Sequence, residues 1–400
     1  MELAVLLGDV DVGRIRTLPD GRTSFALLEE YRRAVPRPVL GQYFEDHLDE
    51  VMRSQTRLPA FFSNLLPEGG LRELIARRAG VHAECEAHLI AHLGDDLPGA
   101  VVVRAIGLDD GEEASLPSTM SEPPTDGPLR FSLAGAQLKF SVMYRRSGRG
   151  PTLPLDGRGG DWIAKLPSET YEHVPENEFA MVEWARRAGL TVPETALVDV
   201  GEVAGLPIEL EPGRKIFLSR RFDRPSPGIR IHQEDFAQVA NVRASERYRT
   251  LSYDAIARIV LATAGDADFE EVLRRLAFNV LIGNGDAHLK NWSLQYPDAV
   301  HARLSPAYDL VSTVVYIPTD GLALKLAKER EFASIGLTHF RRIAERAGTD
   351  PDRAVQVVRE LTGAAMNAWP EVARELPLGP GQRHRLDEHL GRLRLLAEAS

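Results

Sequence analysis

The spacing of apolar residues changes once along this chain, near residue 230, and that change limits the folds it can adopt. Before it, short apolar segments such as 3–7, 23–28 and 162–166 are separated by turn residues, a pattern typical of strands. After it, apolar residues recur every three or four positions, as in 269–280, which is typical of helices. The sequence predicts an α+β protein, rich in strands first and all-α at its C-terminal end.

One segment interrupts both patterns. Residues 107–129 begin with an acidic run and continue with proline, serine and glycine, a composition that buries too little apolar surface to order itself. We therefore expect four parts: an N-terminal α+β unit at 1–106, a linker at 107–129, a strand-rich lobe at 130–225 and a helical lobe at 226–400. This order predicts the two-lobed protein-kinase-like fold, which binds nucleotide between its lobes. The last helix is expected to be continuous over 383–397.

Composition excludes several classes of function. The chain has 58 acidic and 48 basic residues, a formal net charge of -10, so its surface as a whole does not favour DNA binding. Its single cysteine, Cys85, excludes an internal disulfide and is expected to be a buried, inert thiol. The first residues lack the pattern of a secretion signal, and no apolar run approaches the ~20 residues that span a bilayer. We expect a cytoplasmic protein without a membrane partner.

The segment 282–291 carries the strongest chemical signal. It directly follows a predicted helix, and Gly283 and Gly285 place Asp286 on a loop. Asp286 precedes Asn291 by five positions, which is the spacing of the base aspartate and the metal-binding asparagine in protein kinases. A carboxylate can accept the substrate proton, and an amide oxygen suits Mg²⁺. The alternative is a polar loop between helices in which Asp286 is a cap, since this spacing also occurs by chance.

Two further residues extend this pattern. Asp309 follows a predicted hairpin after the loop, where kinases keep their main Mg²⁺ ligand. Lys165 lies in an apolar strand, and a buried lysine is costly unless it is paired. It is predicted to contact nucleotide phosphates and to pair with a glutamate on the next helix, Glu178 in preference to Glu176. The alternative is a lysine at a strand edge that faces solvent.

Small residues at 134–136 lie between two predicted strands, where backbone amides could approach phosphates closely. The spacing is not that of a Walker loop, and an ordinary hairpin is the alternative. His288 could suggest a metal hydrolase, but a second histidine four positions on and the H-E-x-x-H pattern are both absent. A structural or phosphate-side role is expected for His288, while His173 and His232 are expected at the surface or in loops.

Taken together, these segments closely resemble the HipA family of bacterial serine/threonine kinases. The resemblance covers nearly the whole chain, in the family's order. The matching segments are 58–62, 65–69, 131–139, 163–167, 176–178, 221–224, 232–235, 286–291 and 308–309.

The resemblance implies roles for individual residues. Asp286 is the implied catalytic base, Asn291 and Asp309 are the implied metal ligands, and Ser132 matches the family's autophosphorylation site. Phosphorylation there would eject the phosphate loop and silence the enzyme. The implied ATP-binding residues are Ala134, Gly135, Ala136, Gln137, Leu138, Lys139, Lys165, Arg220, Arg221, Phe222, His288, Leu289, Lys290, Asn291, Tyr308 and Asp309.

The resemblance also implies cofactors and partners. ATP and Mg²⁺ would be bound. Family members are toxins that phosphorylate aminoacyl-tRNA synthetases, notably glutamyl-tRNA synthetase, and a small helix-turn-helix antitoxin like HipB holds them on operator DNA. DNA contact would then be mainly indirect. Two departures are Arg220, where an acidic residue is common, and Ala287, where glycine is usual. A co-repressor scaffold without kinase activity and a metal-dependent phosphohydrolase are the rival interpretations.

Overall fold

The computed structural model describes residues 1–18, 20–106, 139–144, 151–152, 160–206 and 210–399. Three expectations lie outside these residues: the linker at 107–129, Ser132, and the phosphate-loop residues 134–138. Within the described residues, no helix is long and apolar enough to cross a membrane.

The N-terminal unit is an antiparallel five-stranded sheet in the order β4-β3-β2-β1-β5, packed against short helices. Alternate strand residues such as Leu3 and Val5 are fully buried, which is the two-residue period that a sheet with one covered face requires. The strands are β1 (Glu2–Leu7), β2 (Val10–Thr17), β3 (Thr23–Leu27), β4 (Met52–Ser54) and β5 (Val101–Ala105). The helices are α1 (Glu29–Arg33), α2 (Gln42–Asp46), α3 (Ala60–Ser63), α4 (Gly69–Arg78) and α5 (Glu86–Leu93).

A second antiparallel sheet, in the order β6-β7-β9-β8, carries Lys165 on an inner strand. Its strands are β6 (Lys139–Val142), β7 (Trp162–Lys165), β8 (Thr195–Asp199) and β9 (Lys215–Arg220), and helix α6 (Val174–Arg187) connects β7 to β8. The apolar side of this sheet forms its own small core. By contrast, α6 packs into the larger core of the helical lobe through Met181, Trp184 and neighbouring residues.

The C-terminal lobe is helical apart from a three-stranded sheet, which the prediction of an all-α lobe omitted. Its helices are α7 (Phe236–Val239), α8 (Tyr253–Ala264), α9 (Asp266–Ile282), α10 (Leu337–Ala347), α11 (Pro351–Glu375), α12 (Pro380–Leu390) and α13 (Arg394–Ala399). Its strands are β10 (His232–Asp235), β11 (Ser293–Tyr296) and β12 (Arg303–Leu304), with β11 in the middle. The predicted hairpin after the catalytic loop is confirmed by the pairing of β11 with β12.

Three local expectations are wrong. The helix expected over 383–397 is broken, because α12 ends at Leu390, Gly391 follows it and α13 begins at Arg394; glycine is a poor helix former. Cys85 is exposed, since it precedes α5 at the surface instead of lying in its apolar face. His232 is buried, because β10 packs against the N-terminal unit and the ring hydrogen-bonds the Leu40 carbonyl at 2.8 Å.

Direct hydrogen bonds join the N-terminal unit to the C-terminal lobe. Asn64 Nδ2 donates to the Val242 carbonyl at 2.7 Å, and the Gln42 amide donates to Glu234 Oε1 at 2.8 Å. Glu234 is fully buried at this junction, and burial raises its pKa to about 8, although hydrogen bonds from Tyr296 and Gln42 act in the opposite direction. The N-terminal unit is therefore a packed part of the structure beside the catalytic loop.

Candidate active site

A buried lysine joins the two lobes. Lys165 ends strand β7, and its side chain is only 5% exposed. Its ammonium group contacts Glu178 Oε1 on α6 and Asp309 Oδ1 on the helical lobe. Lys139, its neighbour across the sheet, reaches the other Asp309 oxygen at 3.0 Å. The predicted pairing of Lys165 with Glu178 is confirmed by this contact.

The charges of this cluster stabilise one another. Burial acts against the charged form of Lys165, but attraction to Asp309 and Glu178 outweighs it and raises the lysine pKa. Burial likewise acts against the Asp309 carboxylate, yet Lys139 and Lys165 together bring its pKa well below the usual range. The pKa of Glu178 is raised, because burial dominates over the attraction to Lys165. Lys165 and Asp309 are therefore ionised at neutral pH.

Asp309 is held in an unusual backbone conformation. Its φ angle is +54°, a left-handed conformation that is uncommon for non-glycine residues, although aspartate adopts it more often than most. Its carbonyl accepts a hydrogen bond from Asn284 Nδ2 at 3.3 Å, and the same amide donates to Asn279 Oδ1 at 2.8 Å. Side chains from α9 and the following loop thus help to hold the backbone of Asp309, while Lys139 and Lys165 hold its carboxylate.

The catalytic loop begins at a glycine that the fold requires. Gly283 caps α9 with φ +62°, and a Cβ there would lie 2.4 Å from a Val314 methyl carbon. The Asp286 amide donates to Asn284 Oδ1 at 3.0 Å, and Asn291 Nδ2 donates to the Asp286 carbonyl at 2.8 Å. The loop is therefore closed on itself, and the five-residue spacing brings the Asn291 amide to the Asp286 backbone.

The Asp286 carboxylate has a partner that the sequence did not indicate. The side chain is 56% exposed, and the Tyr248 hydroxyl donates to its Oδ1 at 2.5 Å. The Tyr248 ring packs edge-on against His288, with ring centres 5.0 Å apart. Burial raises the pKa of Tyr248 to about 12, and the hydrogen bond that its hydroxyl donates to Asp286 adds to this shift because only the neutral phenol can donate it.

A glutamate of the N-terminal unit joins both sides of this loop. Glu68 contacts Arg247, the neighbour of Tyr248, and Lys290 of the catalytic loop at 3.0 Å. Although partial burial opposes the shift, the charges of Lys290 and Arg247 lower the pKa of Glu68 to about 2. No pattern near Glu68 or Tyr248 predicted these contacts, because they join segments far apart in the sequence.

The residues expected beside adenine have different surroundings. Arg221 is buried in a bidentate pair with Asp223, whereas Arg220 donates to the Pro225 carbonyl at 2.9 Å. Phe222 packs against Tyr308, with ring centres 5.6 Å apart. Phe222 and Tyr308 therefore provide aromatic surface next to Asp309. Arg220 and Arg221 instead bond to residues of the segment that follows β9.

The matches to known proteins agree with this arrangement. A family model described as HipA N-terminal domain matches residues 3–104, and one described as HipA-like C-terminal domain matches residues 131–369. A Sinorhizobium fredii protein with a provisional kinase name, Y4dM, is 40% identical over 99% of this chain and 98% of its own length. The chain belongs to the HipA family.

Two more relatives describe the family. The serine/threonine-protein kinase toxin HipA of Shewanella oneidensis is 27% identical over 66% of this chain and 65% of its own length. A solved complex of Shewanella oneidensis HipA with HipB and operator DNA matches with a TM-score of 0.71 at 22% identity, covering 99% of this chain and 96% of that one. That likeness supports the two-lobed kinase-like fold with an added N-terminal unit.

The remaining expected site residues of this HipA-family chain lie at different depths. Leu289 is buried in the large core. His288 is also buried, which lowers its pKa, and its Nδ1 makes no hydrogen bond within the described residues. The Lys290 ammonium points to Asn64 and Glu68 rather than to the Lys165 cluster. The loop residues 134–138 and Ser132 lie outside the described residues.

The oxygen donors suit a magnesium ion better than zinc. Asn291 and Asp309 line one small pocket together with Asn279 and Asn284, and carboxylate and amide oxygens are hard ligands that Mg²⁺ shares with phosphate. Across the described ranges, no group of three histidine, cysteine, aspartate or glutamate residues could hold a metal by itself. Asn291 and Asp309 would therefore hold an ion that also binds nucleotide phosphates.

Proposed function

We propose that this protein is an ATP-dependent serine/threonine protein kinase of the HipA type. The observation that carries the proposal is the buried Lys165, which pairs with Glu178 on one side and Asp309 on the other. Protein kinases use this combination to hold ATP phosphates and the metal ion. The intact set of Lys165, Asp286, Asn291 and Asp309 supports an active enzyme more than a scaffold.

The proposed reaction assigns each group a step. The acceptor hydroxyl oxygen bonds to the γ-phosphorus while the bond from that phosphorus to the bridging oxygen of ADP breaks. The Asp286 carboxylate accepts the hydroxyl proton, and Lys139 and Lys165 balance phosphate charge. A magnesium ion held by Asn291 and Asp309 would neutralise charge that develops on the phosphates. Residues 134–138 would cover the phosphates, and Phe222 and Tyr308 would flank the adenine ring.

Biological context is proposed from the family. The protein would act in the cytoplasm as a toxin on a translation enzyme, such as an aminoacyl-tRNA synthetase, and a HipB-like helix-turn-helix antitoxin would neutralise it. The solved relative in complex with HipB and operator DNA supports this partner. The net charge of -10 fits DNA contact made mainly through the antitoxin. The chain would consist of an N-terminal unit at 1–106, a linker at 107–129 and two kinase lobes at 130–225 and 226–400.

Calorimetry with ATP tests nucleotide and metal binding. ATP should bind in the presence of Mg²⁺, and affinity should fall when EDTA removes the metal, because Asp309 and Asn291 would bind phosphates only through it. Equal affinity with and without EDTA would contradict the metal assignment.

Phosphoryl transfer from radiolabelled ATP tests the base. Asp286→Asn should keep ATP affinity but slow transfer by about 10²- to 10⁴-fold, the usual contribution of a general base. Asp46→Asn, which neutralises an exposed carboxylate of the N-terminal unit, is the matched control. Transfer by Asp286→Asn at the wild-type rate would show that Asp286 is not the base.

Mass spectrometry tests self-control. Ser132 should gain a single phosphate during incubation with ATP and Mg²⁺, and ATP affinity should then fall, because about -1.5 to -2 charges would be added near the ATP phosphates. An unmodified Ser132 in an otherwise active enzyme would refute this part and leave the kinase assignment standing.

A further inference from the structure

The backbone of Asp286 is held by its own loop, but its carboxylate is not. The Asp286 amide and carbonyl are bonded to Asn284 and Asn291, which fixes the main chain. The side chain projects from that backbone and is 56% exposed, and an exposed aspartate can turn freely about its side-chain bonds. Within the described residues, the side-chain hydrogen bond that restrains it comes from Tyr248, and His288 Nε2 lies farther away, 4.0 Å from the same oxygen.

Tyr248 is itself held on two sides. Its ring lies edge-on to His288, and the Arg247 guanidinium carbon lies 5.4 Å from the ring centre, within the range of a cation–π contact. Arg247 is also bonded to Glu68. The position of the tyrosine hydroxyl therefore depends on a carboxylate of the N-terminal unit.

Glu68 completes a closed set of contacts. Besides Arg247, it binds Lys290 of the catalytic loop at 3.0 Å, and Lys290 donates to the Asn64 carbonyl at 3.1 Å. Starting at Asp286, the contacts run through Tyr248, Arg247 and Glu68 and return to the catalytic loop at Lys290. Both the loop and its restraining tyrosine are thus attached to the same glutamate.

We infer that Tyr248 and Glu68 are positioning residues for the catalytic base, and that the N-terminal unit thereby completes the acceptor side of the active site. The inference deepens the proposed function and rests on it. Tyr248 holds one carboxylate oxygen, and the exposed carboxylate retains acceptor sites for the substrate hydroxyl, since a carboxylate can accept about four hydrogen bonds. Glu68 does not contact Asp286 but acts indirectly, by holding Arg247 and Lys290 in place.

The first test removes the tyrosine hydroxyl. Phosphate incorporation into the protein itself and into casein is measured with radiolabelled ATP over a range of ATP concentrations. Tyr248→Phe should lower the rate at saturating ATP by about 10- to 100-fold, the cost of a small misplacement of a reacting group. The ATP concentration at half-saturation, the calorimetric ATP affinity and the melting temperature should be unchanged.

The matched control is Tyr43→Phe. The Tyr43 hydroxyl donates to the Glu50 carboxylate at 3.1 Å within the N-terminal unit, so this change removes the same kind of hydrogen bond away from the site. It should leave the transfer rate unaltered. A rate for Tyr248→Phe equal to that of wild type would overturn the inference, and so would a higher rate, which would mean that Tyr248 blocks the acceptor.

The second test asks whether Glu68 acts through Tyr248. Glu68→Gln should lower the saturated rate by about 3- to 10-fold, and Glu84→Gln, which removes the exposed partner of Arg57, should not. Residues in one set of contacts are not additive, so the Tyr248→Phe/Glu68→Gln double variant should be nearly as active as Tyr248→Phe alone. If the fold-losses in rate of the two single variants multiplied in the double variant, the two residues would act independently and the connection between them would be refuted.

The outcomes separate this inference from the proposed function. No incorporation by the wild-type protein, together with no metal-dependent ATP binding, would overturn the kinase proposal and the inference with it. Active wild type with an unchanged Tyr248→Phe variant would overturn the inference alone. A fall in melting temperature and ATP affinity that parallels the loss of rate would show a structural role and would also overturn it.

Discussion

The two functional carboxylates lie in contrasting surroundings. Asp309 is held between Lys139 and Lys165 and has a left-handed backbone, so its contacts within the described residues come from the two kinase-like lobes. Asp286 has an exposed side chain and depends on Tyr248, which is linked to Glu68 of the N-terminal unit. If the proposed roles hold, the nucleotide side of the site lies within the kinase-like lobes, whereas the acceptor side also uses the additional N-terminal unit.

The largest expected effect tests the nucleotide side. Asp309→Asn removes the charge that pairs with Lys139 and Lys165, so transfer should fall by about 10³-fold or more. The metal dependence of ATP binding should disappear as well, because the stronger of the two proposed metal ligands is lost. Rate measurements and calorimetry with and without EDTA check both points. If Asp309→Asn lowered the transfer rate but ATP binding still required the metal, Asp309 would act in the transfer step, as proposed for Asp286, and not as a metal ligand.

The next effect concerns stability. Lys165→Met leaves Glu178 buried without its cation, which should lower the free energy of unfolding by about 3 kcal/mol. Denaturant unfolding measures the change. The Lys165→Met/Glu178→Leu variant should recover much of the loss, because no unpaired charge then remains buried.

The control for this experiment is an exposed ion pair. Arg33→Met breaks the contact of Arg33 with Glu29, whose side chains are 78% and 60% exposed, and should cost less than about 1 kcal/mol. A loss for Lys165→Met as small as that for Arg33→Met would mean that water reaches the Lys165 cluster.

The smallest expected effect concerns the junction on the acceptor side. Burial raises the pKa of Glu234 to about 8, so the folded protein holds a proton there that the unfolded chain releases above its ordinary value of 4.5. Stability should therefore decrease as pH rises to about 8, by on the order of 1–2 kcal/mol between pH 6.5 and 8. Glu234→Gln should remove this decrease.

Denaturant unfolding of both proteins at several pH values measures the difference. The window above pH 6.5 avoids His232, whose pKa burial lowers to about 4 and whose contribution acts in the opposite direction between about pH 4 and 6.5. Parallel stability curves for wild type and Glu234→Gln would show that Glu234 is ionised in the folded protein and that the junction is wetter than its burial indicates.

The contacts of Lys165 could be predicted because their signals are local. Each signal is a charged residue that stands out in its own segment. The three are a lysine within an apolar strand, a glutamate on the apolar side of the next helix and an aspartate after a hairpin. The contact of Lys165 with Glu178 confirms the pairing expected from those signals. The two-lobed fold was predictable for the same reason, since strand and helix periodicities are properties of short windows.

The acceptor side could not be predicted in this way. Tyr248 and Asp286 are brought together by the packing of α8 and α9, and Glu68 reaches Lys290 across more than half the chain. Each residue is unremarkable in its own segment, as an exposed glutamate or a tyrosine in a turn. His232 was misplaced for a related reason: its short strand becomes buried only because the N-terminal unit covers it.

The packing of α6 has a mechanical consequence for turnover. Its Trp184 donates to the Ala365 carbonyl at 2.8 Å, and its Asn177 exchanges hydrogen bonds with Ser312 at 2.9 and 3.0 Å. Helix α6 also holds the sheet, since Thr195 of β8 donates to its Glu183 at 3.0 Å. If the lobes part to let spent nucleotide leave, the contact of Lys165 with Asp309 of the helical lobe has to break. Every catalytic cycle that includes such an opening would have to separate and re-form a buried ion pair, which makes departure of ADP a natural candidate for the slowest step.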